Sequence, residues 1–268
     1  MTSQIDVFGL LSRVREKRPL VHHITNWVTI YDCANVVRTM GALPVMAHAA
    51  PEVAEMVGIS SALVLNIGTL TPQVVESMKL AANAANKKGI PIVLDAVGAG
   101  ATKYRTDTCN ELLNEYKIAV VKGNAGEIGV LAGAKAEVRG VESMGVQGDK
   151  AEIARNFAKA GKFTVAMTGK QDVVAGKSGE VFLVDNGSEW MGRIVGTGCM
   201  AASVIGAFVA VENDHAVAAA SALSAYGIGG ELAGKNPKGP GTFKALFFDE
   251  LYNLDEAKIT KMAKITSV

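Results

Sequence analysis

The chain has 268 residues, 49% of them hydrophobic and 20% charged, which supplies ample material for an α/β core. Its net charge is +1 with no dense lysine or arginine run, so sequence-independent binding to a nucleic-acid backbone is not expected. Met1 to Leu20 lacks a secretion-signal core, and the longest apolar run, Met200 to Val211, is too short to span a bilayer.

Residues 4–18 read as an amphipathic helix closed by Pro19, and 20–25 as a strand running into Asn26. A helix over 29–40 stops at Gly41, a short strand covers 43–46, and Pro51 opens a helix to residue 58. Residues 62–66 form a buried strand. Thr71-Pro72 is an N-cap with proline at the first helical position, opening a helix that ends at Gly89. Strand 91–95, helix 106–116, strand 118–122 and a short helix from Glu127 continue the alternation. Residues 133–149 read as a loop, followed by helix 150–160 and strand 163–168. Runs at 173–175 and 181–185, parted by Lys177-Ser178-Gly179, suggest an antiparallel hairpin. The remainder reads as helical: 199–212, 214–234, and a stretch from Thr242.

Such alternation with near-continuous apolar strands predicts one α/β domain over 1–268, a mostly parallel sheet covered on both faces. Ligands bind beyond the carboxyl ends of strands in such sheets. Asn26, Met46, Asn66, Asp95, Lys122 and Thr168 all fall there. The three cysteines, Cys33, Cys109 and Cys199, are odd in number and far apart, as expected of a reduced, cytoplasmic protein without a zinc site. The four histidines show no metal-ligand spacing and read as structural or peripheral.

Gly196-Thr197-Gly198-Cys199 leads into the apolar run, placing two glycines at a helix N-terminus, where free N–H groups and the helix dipole favour an anion. Alternatives are a plain tight turn, with Cys199 as a small buried hydrophobe, or a dinucleotide fingerprint. The fingerprint belongs to a first βαβ unit, and no new strand follows here. Asn124 and Glu127, three apart at a helix start, suit a capping box and also put a carboxylate beside a phosphate, where Mg²⁺ is held through waters.

Six motifs in order resemble the hydroxyethylthiazole kinase family: His22-His23-Ile24-Thr25-Asn26, Leu94 to Gly100, Gly123-Asn124 with Glu127, Thr168-Gly169, Gly196 to Cys199, and Gly239-Pro240-Gly241-Thr242-Phe243. The resemblance implies a ribokinase-like three-layer α/β/α fold without a separate lid. It also implies phosphorylation of the primary hydroxyl of 4-methyl-5-(2-hydroxyethyl)thiazole by ATP with Mg²⁺, in a homotrimer whose active sites lie between subunits. Met46, Gly196 and Asn26 then correspond to substrate-binding positions, and Lys122, Thr168 and Gly198 to ATP-binding ones. Asp95 and Glu127 correspond to the metal and phosphate cluster. Cys199 stands at the catalytic base position, its thiol pKa expected to be lowered by the helix N-terminus. Lys122 occupies a position where the family more often has arginine. Rival expectations are another ribokinase-like activity (hydroxymethylpyrimidine kinase or ATP-dependent dehydratase of hydrated nicotinamide dinucleotide), a thiol hydrolase using Cys199, or a non-catalytic nucleotide-binding module.

Overall fold

The computed structural model describes residues 5–134, 136–139, 142–146 and 148–268. The strands are β1 (Leu20–Ile24), β2 (Leu43–Val45), β3 (Ala62–Asn66), β4 (Ile92–Asp95), β5 (Val120–Asn124), β6 (Ala136–Arg139), β7 (Glu142–Val146), β8 (Thr164–Thr168), β9 (Asp172–Ala175), β10 (Val181–Val184) and β11 (Ile265–Ser267). The helices are α1 (Val7–Lys17), α2 (Ile30–Thr39), α3 (Val53–Ile59), α4 (Pro72–Lys88), α5 (Lys103–Glu115), α6 (Ala125–Leu131), α7 (Lys150–Gly161), α8 (Thr197–Val209), α9 (His215–Ala233), α10 (Pro240–Tyr252) and α11 (Glu256–Met262). A 3-10 turn over Glu189–Arg193 precedes α8.

The main sheet runs β11-β10-β9-β8-β5-β4-β3-β1-β2. From β2 to β8 every neighbouring pair is parallel, and β9, β10 and β11 extend it as an antiparallel margin. Alternate residues of the parallel strands feed two cores. Val64, Val93 and Val120 join α1, α2, α8, α9 and α10 on one face. Leu65, Leu94 and Val121 join α3 to α7 on the other. Burial on both faces is why these strands carry continuous apolar runs.

The ends of α4 follow the chemistry of their sequence. Thr71 Oγ1 accepts the Val74 N–H at 3.2 Å, and Gly89 closes the helix in the left-handed region. Three expectations need correction. The stretch 133–149 is not simply a loop: β6 and β7 form an antiparallel ribbon in it, although residues 135, 140, 141 and 147 lie outside the described residues. The chain beyond Thr242 is not wholly helical, because Ile265–Ser267 pairs with β10 at the sheet margin. Strand β5 runs on to Asn124, past Lys122, because its pairing with β8 continues to Asn124–Thr168.

His22 and His23 are buried within β1, so they are structural and not peripheral. Burial pushes the His23 imidazole down to about 4 and lowers that of His22, leaving both neutral at pH 7. Among the described residues no helix is long and apolar enough to cross a membrane.

Candidate active site

The register of the parallel strands builds the site. Asn66 pairs with Asp95, and Asp95 with Lys122, across β3, β4 and β5. Each lies two residues beyond a valine of the α8-facing core, so all three project on that face. Lys122 Nζ donates to Asp95 Oδ1 at 3.0 Å, and Asn66 Nδ2 donates to Asp95 Oδ2 at 2.5 Å. Asn26, just past β1, extends the row: its Nδ2 donates to Asn66 Oδ1 at 3.0 Å and to Cys199 Sγ at 3.3 Å. Asn26 Oδ1 in turn accepts the N–H groups of Val28 and Thr29 and the Thr29 hydroxyl, which orients the amide. A continuous polar chain therefore links Lys122 to Cys199 through two asparagines and a carboxylate.

Asp95 is 0% and Lys122 4% exposed. Burial works against the Lys122 ammonium, but the Asp95 and Glu127 carboxylates outweigh it and hold its pKa above the ordinary lysine range. Burial likewise raises the Asp95 carboxyl, against the opposing pull of Lys122 and the Asn66 amide.

Glu127 forms the predicted capping box at the start of α6. Its backbone N–H donates to Asn124 Oδ1 at 3.0 Å, and its Oε2 accepts the Asn124 N–H at 2.7 Å. The second oxygen, Oε1, accepts the Gly98 N–H at 2.7 Å, tying α6 to the loop after β4. Burial raises the Glu127 carboxyl, with Lys122 and the Gly98 N–H opposing.

The glycine turn sits as expected. Gly196 is the N-cap of α8 at φ 95°, a conformation that side chains other than hydrogen strain to adopt. Thr197 Oγ1 donates to Met191 O at 3.0 Å, and Tyr226 Oη donates to Thr197 O at 2.9 Å, bracing the first turn. A Cβ at Gly198 would lie 3.2 Å from Lys122 Nζ, so the ammonium lies beneath that turn. Helix N–H groups and a buried cation thus converge on one place, an electrostatic setting for an anion. Cys199, on the same turn, does not have the lowered pKa expected from the helix terminus. Burial raises its thiol and the Asp95 charge adds to it, outweighing Lys122.

These elements enclose a cavity of about 310 Å³, whose lining includes Asn26, Lys122, Glu127, Thr168, Gly196, Gly198 and Cys199. Asp95 lies behind Lys122, outside the lining. Met46 does not line it either; it follows β2 and packs against the α8-side core, and the chain's own cavity gives it no substrate contact. Val97, in the Leu94 to Gly100 motif, lines the cavity, as do Thr29 and Gly68, which were not singled out from sequence. For Thr29 the spacing Asn26-x-x-Thr29 was the available signal, since an asparagine side chain commonly binds the backbone two or three residues on. A larger depression of about 840 Å³ lies at the opposite, amino-terminal ends of the strands, rimmed by the exposed Lys117, Lys162 and Lys177. Among the described residues no buried charged side chain lines it.

A family model for the hydroxyethylthiazole kinase family matches residues 11–257. The chain belongs to the hydroxyethylthiazole kinase family. It is 55% identical over 255 residues to a hydroxyethylthiazole kinase of Methanosarcina mazei, covering 95% of this chain and 97% of that one. The structure of a hydroxyethylthiazole kinase protein from Pyrococcus horikoshii superposes with TM-score 0.88 at 42% identity, covering 98% of each chain. A ribokinase-like superfamily protein from Enterococcus faecalis superposes with TM-score 0.59 at 14% identity over 94% of this chain and 89% of that one, and shares the fold alone. The three-layer α/β/α architecture without a separate lid is thus that of the ribokinase-like superfamily.

In this member of the hydroxyethylthiazole kinase family the carboxylates suit Mg²⁺ in a limited way. Asp95 and Glu127 offer the hard oxygen donors that Mg²⁺ prefers. Yet each of their oxygens already accepts a protein donor. Among the described residues no cluster of three His, Cys, Asp or Glu side chains can hold a metal. Asp95, buried behind Lys122, does not reach the cavity, so the expectation of a metal contact there is not met. The set fits an ion held mainly by phosphate oxygens and water, with Glu127 near enough to act through water, and not a protein cage.

Beside Thr168, the Gly169 N–H donates to Asp172 Oδ1 at 2.8 Å, and burial pushes the Asp172 carboxyl up to about 7 against that bond. A raised folded-state pKa gives stability that is complete below the unfolded value and lost as pH rises through about 7. Asp172→Asn keeps an acceptor for Gly169 and removes the titration. Its stability relative to the unaltered protein is expected to rise by about 2 kcal/mol between about pH 5 and pH 8. Denaturant midpoints at the two pH values check this, and equal differences at both would refute it.

Proposed function

We propose that this protein transfers the γ-phosphoryl group of ATP to the primary hydroxyl of 4-methyl-5-(2-hydroxyethyl)thiazole, giving the phosphate ester and ADP. The observation that carries this reading is the convergence of buried Lys122, the first turn of α8 and Cys199 on one small cavity. Phosphoryl transfer passes through a loose transition state with charge on the peripheral oxygens, so catalysis is mostly placement and electrostatics. The N–H groups of Thr197, Gly198 and Cys199 have no intrahelical partners and face that charge, and Lys122 adds a fixed cation beneath them. Thr168 offers a hydroxyl to the nucleotide, while Asn26, clamped by Thr29, lines the wall for the thiazole. Mg²⁺, when bound, would neutralise charge on the ATP phosphates; Glu127, on the cavity wall, is the residue that would hold it through water, while Asp95, behind Lys122, acts by holding that ammonium.

In this reading Cys199 orients the substrate hydroxyl. With its thiol pKa raised it stays protonated, so the hydroxyl proton leaves on the phosphate group as the new P–O bond forms. Cys199→Ala is expected to lower kcat by about 10- to 100-fold, at the low end of general-base contributions. Cys199→Asp, which supplies a carboxylate at the same place, is expected to keep or raise kcat. A tenfold or greater loss in that variant would refute the base-position role.

A trimer of this chain fits the same reading. Trp27, Val28, Tyr31 and Val195 are exposed, and Val28 and Val195 also line the cavity, so apolar surface gathers at its mouth. Met46, outside the chain's own cavity, would meet a thiazole only across an interface between copies. Light scattering in solution tests the assembly. A coupled assay of ADP release with Mg·ATP and the thiazole alcohol, run beside hydroxymethylpyrimidine, tests the reaction. Turnover on the thiazole alone is expected; turnover on the pyrimidine alone would overturn the substrate assignment.

A further inference from the structure

We propose that Arg105 is a positioning residue for the phosphate end of the site, acting through two peptide groups whose N–H donors orient Asn66 and Glu127. Arg105 lies in the first turn of α5, where its backbone N–H donates to the N-cap Thr102. It forms no ion pair among the described residues, and the acceptors of its guanidinium are main-chain carbonyls. Nη1 donates to Val97 O at 2.7 Å and, more weakly, to Ile67 O at 3.4 Å, and Nη2 donates to Gly68 O at 2.7 Å. The fork thus joins the loop after β3 to the loop after β4, and Gly68 and Val97 both line the cavity.

Each of two peptide units is gripped at both ends. The Val97–Gly98 peptide gives its carbonyl to Arg105 and its N–H to Glu127 Oε1 at 2.7 Å. The Ile67–Gly68 peptide gives its carbonyl to Arg105 and its N–H to Asn66 Oδ1 at 2.9 Å; Asn66 then donates to Asp95. A cation on a carbonyl polarises the whole amide and strengthens its N–H as a donor. Arg105 therefore fixes and reinforces the two donors that aim the acidic side of the site without touching either acid. Close packing makes room for it. Gly98 has φ 74°, and a Cβ there would stand 2.7 Å from Arg105 Nη1, so a side chain at 98 would evict the guanidinium. Lysine carries one ammonium and no planar fork, and cannot span both loops in the same way.

This inference rests on the reading of Glu127 as part of the phosphate and metal cluster. The test is calorimetric titration of a non-hydrolysable ATP analogue, with and without Mg²⁺, into the unaltered protein, Arg105→Ala, Arg105→Lys, Glu127→Gln and the Arg105→Ala/Glu127→Gln double variant. Arg105→Ala is expected to lose about 10- to 100-fold of the Mg²⁺-dependent affinity, the range found when groups orienting metal ligands are removed. Arg105→Lys should fall close to it, the KM for the thiazole alcohol should stay near that of the unaltered protein, and the double variant should lose no more than Glu127→Gln alone. Should Arg105→Ala fail to fold, Arg105→Lys takes its place in the cycle. A folded arginine variant with unchanged Mg²⁺-dependent affinity, or one whose loss adds to that of Glu127→Gln, overturns the positioning role alone. An unaffected Glu127→Gln removes Glu127 from the cluster and overturns the proposal at its premise.

Discussion

Lys122→Met is expected to cost about 3–5 kcal/mol of stability, the usual penalty for leaving a buried charge without its partner. Asp95 is fully buried, and with the ammonium gone its Oδ1 loses its donor while Oδ2 keeps the Asn66 amide. The same change removes the cation beneath the α8 turn, so kcat/KM should fall at least about 100-fold, as for loss of one electrostatic stabiliser at a transferring group. Adding Asp95→Asn separates the two effects. The pair of charges is then absent together, so much of the stability should return while turnover stays low. Urea denaturation and steady-state kinetics on both variants check this. Activity recovering along with stability in the double variant would show that Lys122 acts only through folding.

Gly196→Ala is the second large effect. Its φ of 95° strains an alanine by about 1–2 kcal/mol. The new Cβ would also stand 2.6 Å from Thr29 Cγ2 and 3.1 Å from Thr29 Cβ. Thr29 is β-branched and stiff, and its hydroxyl is engaged with Asn26 Oδ1, so it yields only by releasing the amide that contacts Cys199. A combined loss of about 2–4 kcal/mol in transition-state binding, or about 30- to 1000-fold in kcat/KM, is expected. Adding Thr29→Ser keeps the hydroxyl and deletes the clashing methyl, so it should recover part of the loss and leave the backbone strain. No recovery would place the whole effect in the backbone.

Much of this molecule was legible without coordinates, for identifiable reasons. Helix α4 carries its own end signals in Thr71, Pro72 and Gly89, and the parallel strands announce themselves by unbroken apolar runs. Asn26, Asp95, Lys122 and Thr168 were visible as polar residues at or just beyond strand ends, and the Asn124–Glu127 spacing spelled out its capping box. What escaped was whatever depends on register between distant segments. That Asn26 reaches Cys199, or that Asp172 holds the turn after Thr168, follows from strand order and side-chain direction. The thiol of Cys199 was misjudged because the helix terminus is a local feature, whereas burial and Asp95 are supplied by the fold. The ribbon β6–β7 and strand β11 were missed because three to five residues are too few for a periodicity to declare itself.

The Asn66–Asp95–Lys122 row also bears on how faithfully the sheet assembles. Side chains along a strand alternate between faces, so slipping β4 by one residue against its neighbours would turn Asp95 into the core that holds Leu65, Leu94 and Val121. There it would lie away from Lys122, and a carboxylate among aliphatic side chains is far less tolerable than a misplaced valine. Apolar strands of this kind are nearly indifferent to such slips, because both of their faces are greasy. Three polar residues in adjacent strands remove that indifference. The groups that serve the chemistry therefore act as alignment pins during folding, and substitutions that neutralise the row should raise the yield of misregistered, aggregation-prone chains even where the native state stays stable.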